Sequence, residues 1–436
     1  MMKKNRTIYF LLALVCLGLQ SCLFQEEDYF DDSSANRATA DVKRCSELLE
    51  AAPNGWVMEY YVGKDYSLGG ITLLCKFDGQ RVTMASQIAG ADETVSSLYS
   101  VKSEQATMLS FDTYNYLVHY FGQPQGSMAD DPNGTLGGDY EFVISDATAD
   151  RIELKGKKYG NRIVMKAFSA DQTWKQYLTR IKKVEDDAFF YEYDLRMDGL
   201  YTGQMLRSNY TFIVTYYDEV GKVHQKTVPF MFTTDGMRFH EPVTIDGQTM
   251  QNFVWKNEEI SFVCTDEGAT EVKLVGVYTA GYQSYDYYPG TYQMDFYRLN
   301  DATNQMEVAS QEIQLVKDED GKSYWLKGLE YDILVTYDKP RGGLSILPQF
   351  LKKVQGGYVY LAMWDLMNDY VLRSSAIGLI SYPTTDGIYL VDNGVWMGEI
   401  SGFIFGVYDS QDEEASFMGY TDAVAAIRLI KKTIEE

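Results

Sequence analysis

The chain has 436 residues, enough for two or three domains once a leader is set aside. Its 62 acidic and 39 basic residues leave a formal charge of −23, a surface that repels phosphate backbones and argues against nucleic acid as a partner. The 35 Tyr, 21 Phe and 6 Trp suit half-buried strand surfaces, the commoner use, and also ring-lined faces that hold carbohydrate, and composition alone does not separate the two.

Lys3, Lys4 and Arg6 precede an apolar run over residues 8–19 that is too short for a permanent membrane span. Residues 1–21 therefore read as a signal peptide. Its end, Leu19-Gln20-Ser21-Cys22, resembles a bacterial lipobox, in which cleavage leaves Cys22 as the lipidated first residue. An ordinary secretory signal with an incidental cysteine is the plainer alternative. Residues 22–40, with Glu26, Glu27, Asp28, Asp31 and Asp32, have little to bury and read as a flexible acidic tether. An acidic stretch behind a lipidated cysteine is similar to the surface-export signal of Bacteroidota lipoproteins. That resemblance implies an outer-membrane lipid anchor with the body at the cell surface; a periplasm-facing lipoprotein is the alternative. Cys45, Cys75 and Cys264 remain, too widely spaced for a disulfide framework or a close metal site. Buried thiols are the default, and a Cys45–Cys75 bridge stays open.

A short amphipathic helix is expected over residues 40–52, stopped by Pro53-Asn54-Gly55. Strands follow from Trp56, with a hairpin through Asp78-Gly79, and residues 113–121 fit either a strand or a short helix. After further strands, Ser169-Ala170-Asp171 caps a predicted helix over 172–184, which ends an N-terminal β-rich domain, 41–186. A middle β-rich segment, 187–271, alternates through residues 210–216 and turns at Asp235-Gly236 and Asp246-Gly247. A C-terminal β-rich domain, 272–436, carries a hairpin through Asp318-Glu319-Asp320-Gly321 and ends in a predicted helix over 422–432, where Ala426, Ile427, Leu429 and Ile430 are apolar. Many short strands with Asp-Gly turns give a mainly β fold of antiparallel barrel or sandwich units, lipocalin-like or similar meanders, with few short helices.

Gly55-Trp56 with Tyr60-Tyr61, Gly69-Gly70 and Lys76-Phe77 is similar to the opening of the domain of unknown function 4302 family of Bacteroidota lipoproteins. So are Leu109-Ser110-Phe111-Asp112-Thr113-Tyr114-Asn115, Gly137-Gly138-Asp139-Tyr140-Glu141-Phe142 and Leu154-Lys155-Gly156-Lys157-Lys158. The likeness is clearest over residues 30–185 and looser to Trp255. It transfers no catalytic residue. It implies a place beside outer-membrane transporters and SusD-like lipoproteins, in nutrient capture.

No motif assigns a reaction. His119, His224 and His240 have no zinc-hydrolase spacing, and no nucleophile elbow is present. A glycosidase carboxylate pair is set by space and not by spacing, so the sequence neither names nor excludes one. Asp131, Asn133 and Asp139 form a calcium candidate in a Gly-containing loop, against the plainer reading of a solvated acidic turn. The most suggestive binding feature is the cluster Tyr278, Tyr282, Tyr285, Tyr287, Tyr288 and Tyr292, broken by Gly281 and Pro289-Gly290. Loop tyrosines can stack on sugars or peptides, or can close a barrel. Trp364 and Trp396 are further ligand candidates. The expected function is a non-catalytic glycan- or peptide-binding or transporter-accessory lipoprotein of a SusC/SusD-like system, needing no cofactor. A surface hydrolase and a purely structural accessory are the alternatives.

Overall fold

The computed structural model describes residues 33–124, 135–218, 220–300, 302–303, 305–412 and 414–432. Cys22, Asp131 and Asn133 lie outside them. The first element is helix α1 (Ser34–Ala51), and the hydroxyl of Ser33 accepts from the Asn36 N–H to cap it. The helix thus takes in residues 34–40, which the sequence assigned to the tether: the cap lies upstream of the first apolar face residue, so polar turns precede the buried ones. Cys45 and Leu49 bury against the first barrel, and the Trp56 indole N–H donates to the Leu49 carbonyl at 2.9 Å.

That barrel takes eight antiparallel strands in chain order: β1 (Trp56–Val62), β2 (Gly69–Asp78), β3 (Arg81–Ser86), β4 (Val95–Ser103), β5 (Thr107–Phe111), β6 (Glu141–Ala147), β7 (Arg151–Gly156) and β8 (Arg162–Ala167). β1 closes it on β8, with Trp56 opposite Ala167. Alternate residues point inward, so Trp56, Met58 and Tyr60 meet Phe142, Ile152 and Met165 in a filled interior. Helix α2 (Tyr116–His119), in the segment that fitted either strand or helix, starts at Asn115, whose side chain accepts from the Leu117 N–H.

Helix α3 (Trp174–Asp187) begins with a capping box between Thr173 and Gln176, a few residues past the cap expected from the sequence. It joins two units through one apolar face. Leu178 packs on the outside of the first barrel with Leu74, Ala85 and Phe168, while Ile181 and Val184 pack into the second core.

The second barrel is also closed: β9 (Glu192–Met197), β10 (Leu200–Ser208), β11 (Thr211–Tyr217), β12 (Val223–Phe232), β13 (Gly236–Ile245), β14 (Gln248–Lys256), β15 (Ser261–Cys264) and β16 (Lys273–Val277), with β9 pairing both β10 and β16. It takes its closing strand from beyond residue 271, because Leu274 continues the inward alternation of the same core.

The third unit holds β17 (Gly290–Asn300), β18 (Gln305–Lys317), β19 (Ser323–Lys327), β20 (Ile333–Asp338), β21 (Gly343–Ile346), β22 (Gln349–Val354), β23 (Gly357–Asp365), β24 (Tyr370–Leu372), β25 (Leu379–Thr384), β26 (Gly387–Asp392), β27 (Gly402–Tyr408) and β28 (Phe417–Lys431). A ring runs through β17 to β21, then β25, β26 and β28, and β28 returns to β17. β27, β23, β22 and β24 branch from β28 as a side sheet. Gln349 joins the branch back to the ring: its side-chain amide accepts from the Leu334 N–H (2.8 Å) and donates to the Leu334 carbonyl (2.9 Å), as a paired strand would.

The helix expected at residues 422–432 is instead the second half of β28. Val424, Ile427 and Leu429 all enter the core, because Ala426 sits at φ 50° in a bulge that shifts the alternation by one residue. A strand with one bulge reproduces the three-residue spacing of a helix face. Among the described residues Cys45, Cys75 and Cys264 are buried and unbridged.

Candidate functional site

The structure brings the tyrosines together as the closure of the third barrel. Tyr288 and Tyr292 are sealed from solvent, their hydroxyls donating to the carbonyls of Gly342 (2.9 Å) and Tyr288 (2.7 Å). Tyr285 stacks on Tyr324 with ring centres 4.7 Å apart and donates to the Ser323 carbonyl. Tyr282, half-buried, stacks on Phe189 of the α3–β9 link, and Tyr287 is exposed, with the Lys431 ammonium over its ring. The hydroxyls and faces of Tyr285 and Tyr288 are spent inside the protein, so these two offer no stacking platform. Trp364 is buried in a small cluster with Ala362, Ile404 and Ala425. The Trp396 indole N–H donates to the sealed Asp365 carboxylate at 3.0 Å, which fixes the turn after β23 together with Asn368.

Asp139 is likewise internal. Its carboxylate accepts the N–H groups of Lys158 (2.7 Å) and Tyr159 (3.1 Å), and burial pushes its pKa up. Those bonds occupy the oxygens a cation would need. Among the described residues no group of three or more acidic, His or Cys side chains is placed to hold a metal ion.

One set of groups that face solvent together lies at the seam between the first two barrels. Close approach there is possible because β2 opens with Gly69-Gly70: a Cβ on Gly69 would fall 2.1 Å from the Tyr210 carbonyl oxygen. Glu59 of β1 crosses the seam, 2.5 Å from Arg238 of β13 and 2.8 Å from Lys166 of β8. Burial by itself would raise the Glu59 carboxyl, but the two cations outweigh it and hold it below the ordinary carboxylate range.

Beside this ion pair opens a cleft of about 250 Å³. One wall is the short turn Lys64–Tyr66 between β1 and β2, where Asp65 (φ 53°) and Tyr66 (φ 60°) are both left-handed, a conformation that costs each non-glycine residue roughly 1–2 kcal/mol. The other is Lys226–Pro229 of β12 with His240, Glu241 and Pro242 of β13. Those three residues fall where the β13–β14 register shifts, between Arg238 and Val243, and Pro242 brings no N–H to the ladder. The His240 ring lies 4.2 Å from Tyr66 and 4.3 Å from Tyr61, and burial lowers its pKa, so the imidazole is neutral at pH 7. Around this ring pair the side chains of Asp65, Lys226 and Glu241 make no hydrogen bond or salt bridge among the described residues. The arrangement presents ring surface, two acceptors and an ammonium donor to one small space. Of these residues sequence reasoning singled out only His240, and only to discount it; the usable signal was Pro242 inside a strand.

The model of a domain of unknown function, DUF4302, matches residues 26–257. The chain belongs to the DUF4302 family. In this DUF4302 protein the match takes in the first barrel, α3, most of the second barrel and both walls of the cleft. A second domain of unknown function, DUF4987, matches residues 265–404, which hold the tyrosine cluster and much of the third unit. No curated protein matches the chain. Among solved structures, a DUF3598-family protein of unknown function from Nostoc punctiforme is 8% identical, over 56% of this chain and 98% of its own, with a TM-score of 0.15. Transferrin-binding protein B of Haemophilus parasuis is 11% identical, over 88% of this chain and 75% of its own, with a TM-score of 0.12. At such TM-scores neither likeness bears on fold or function.

Proposed function

We propose that this DUF4302 protein is a lipid-anchored cell-surface protein that binds a glycan without cleaving it, in service of an outer-membrane nutrient transporter. The observation that carries the reading is the Tyr66–His240 ring pair with the unpaired Asp65, Glu241 and Lys226 around it. Sugar rings present C–H faces that pack on aromatic rings and hydroxyls that need both acceptors and donors, and the cleft supplies each. Binding is favoured over hydrolysis because Asp65 and Glu241 are both exposed. A glycosidase acid needs a desolvated carboxyl to keep its proton near neutral pH. The lipobox-like Cys22 and the acidic residues behind it support the anchor and the surface location.

The test is a titration of the full chain against a panel of neutral oligosaccharides, with reducing ends assayed in parallel. A bound oligosaccharide should lose about tenfold or more in affinity with Tyr66→Ala, with no reducing ends released; Asp65→Asn should weaken it less. Release of reducing ends would establish the hydrolase instead, and binding indifferent to Tyr66→Ala would remove the cleft from the reading. On whole cells, Cys22→Ser should shed the protein from the membrane, and capture of the anchored form should recover a transporter.

A further inference from the structure

A second cleft lies where α3, the second barrel and the third unit meet, with a volume of about 500 Å³, well within the range of small-molecule sites. Its charged lining runs against the character of the chain. Lys182 of α3, Arg207 of β10, Lys322 before β19 and Lys339 after β20 face Glu185 and Asp186 there, four cations against two anions in a protein of formal charge −23.

Both carboxylates are already committed. Glu185 accepts the Tyr210 hydroxyl at 2.7 Å and lies 3.9 Å from Arg207, and Asp186 accepts from Lys339 at 2.8 Å. Arg207 is fixed by its bonds to the carbonyls of Ala188 (2.9 Å) and Asn209 (3.0 Å), with its guanidinium 5.0 Å from the Phe232 ring centre. That leaves Lys182 and Lys322, contributed by different parts of the fold, with no salt bridge among the described residues, Asp320 alone lying near enough to feel the Lys322 charge. Two ammonium groups without a salt bridge beside a rigid guanidinium, in a partly enclosed space, favour an anion that can accept from several of them at once.

We propose that this cleft binds the acidic group, carboxylate or sulfate, of a charged saccharide. The word saccharide rests on the function proposed above; the preference for an anion rests on the cleft alone. The full chain would be titrated with tri-galacturonate, its methyl ester, a sulfated disaccharide and tri-glutamate. The expected result is that tri-galacturonate or the sulfated disaccharide binds, whichever does so naming the acid. The methyl ester should bind at least tenfold more weakly than the free acid, and a rise from 50 to 300 mM salt should weaken the charged ligand several-fold. Lys182→Gln with Lys322→Gln should cost tenfold or more. Because both lysines are solvent-accessible, these variants should fold as the parent does, and Lys182→Arg with Lys322→Arg should restore binding. Equal binding of the ester, indifference to the double glutamine variant, or binding of tri-glutamate alone would each overturn the proposal. Neutral-glycan binding through Tyr66 that survives such a failure would leave the first reading intact, and the converse result would leave this one.

Discussion

Glu59 shows how one side chain can hold two barrels in register. It is largely buried, and its partners Lys166 and Arg238 come from opposite sides of the seam. A carboxyl depressed in the folded state contributes stability that is present above its unfolded value, about 4.3, and is lost as pH falls through the lower folded value. Glu59→Gln should therefore cost about 2 kcal/mol at pH 7, less than the ~3–5 kcal/mol of a fully buried pair because Arg238 and Lys166 keep contact with water. In denaturant titrations across a pH series, the gap between variant and parent should narrow below about pH 4. A gap that stayed constant to pH 3 would assign the loss to packing. At this scale the sequence is hardest to read. Tyr66 and Tyr288 look alike in composition, yet one lines a cleft and the other is sealed, because the distant parts of the chain packed around each turn decide which way its ring faces. The cleft residues come from separate stretches of chain, and nothing local announces that Asp65 and Glu241 will meet.

At the scale of elements, strands and hairpin turns are legible because alternation and Asp-Gly signals are local, as Asp78-Gly79 and Asp246-Gly247 show. Failures occur where an element breaks its own period. Ala426 is the instructive case: exposed, left-handed, and responsible for β28 reading as a helix. Its strained conformation costs roughly 1–2 kcal/mol, part of which glycine would return in unfolded-state entropy. Ala426→Gly should accordingly stabilise the protein by about 0.5–1 kcal/mol, measured by urea denaturation followed through tryptophan fluorescence. A loss of stability would mean that the methyl group itself packs.

For the molecule as a whole, the mainly β class and the family are readable from the sequence, while the closure of the sheets is not, because pairing of β1 with β8 or β17 with β28 leaves no local mark. Each unit encloses its own apolar cluster, and the seams between them carry ion pairs, aromatic contacts and a shared helix. Calorimetry should therefore show a heat-absorption profile broader than a single two-state transition, with the early shoulder moved further from the main peak in Glu59→Gln. One sharp peak in both proteins would mean that the seams couple the cores into one cooperative body.

Closure also sets an order in time. A barrel whose first strand pairs with its last stays incomplete until that last strand has emerged from the ribosome. The first can seal once β8 has appeared and the second once β16 has, but the third must wait for β28, the strand from which its side sheet also branches. Until then β17 presents an unpaired edge, and the side sheet has nothing to grow from. The window in which this protein is most open to aggregation or proteolysis therefore belongs to its third unit, late in synthesis, after the cleft between the first two barrels has already formed.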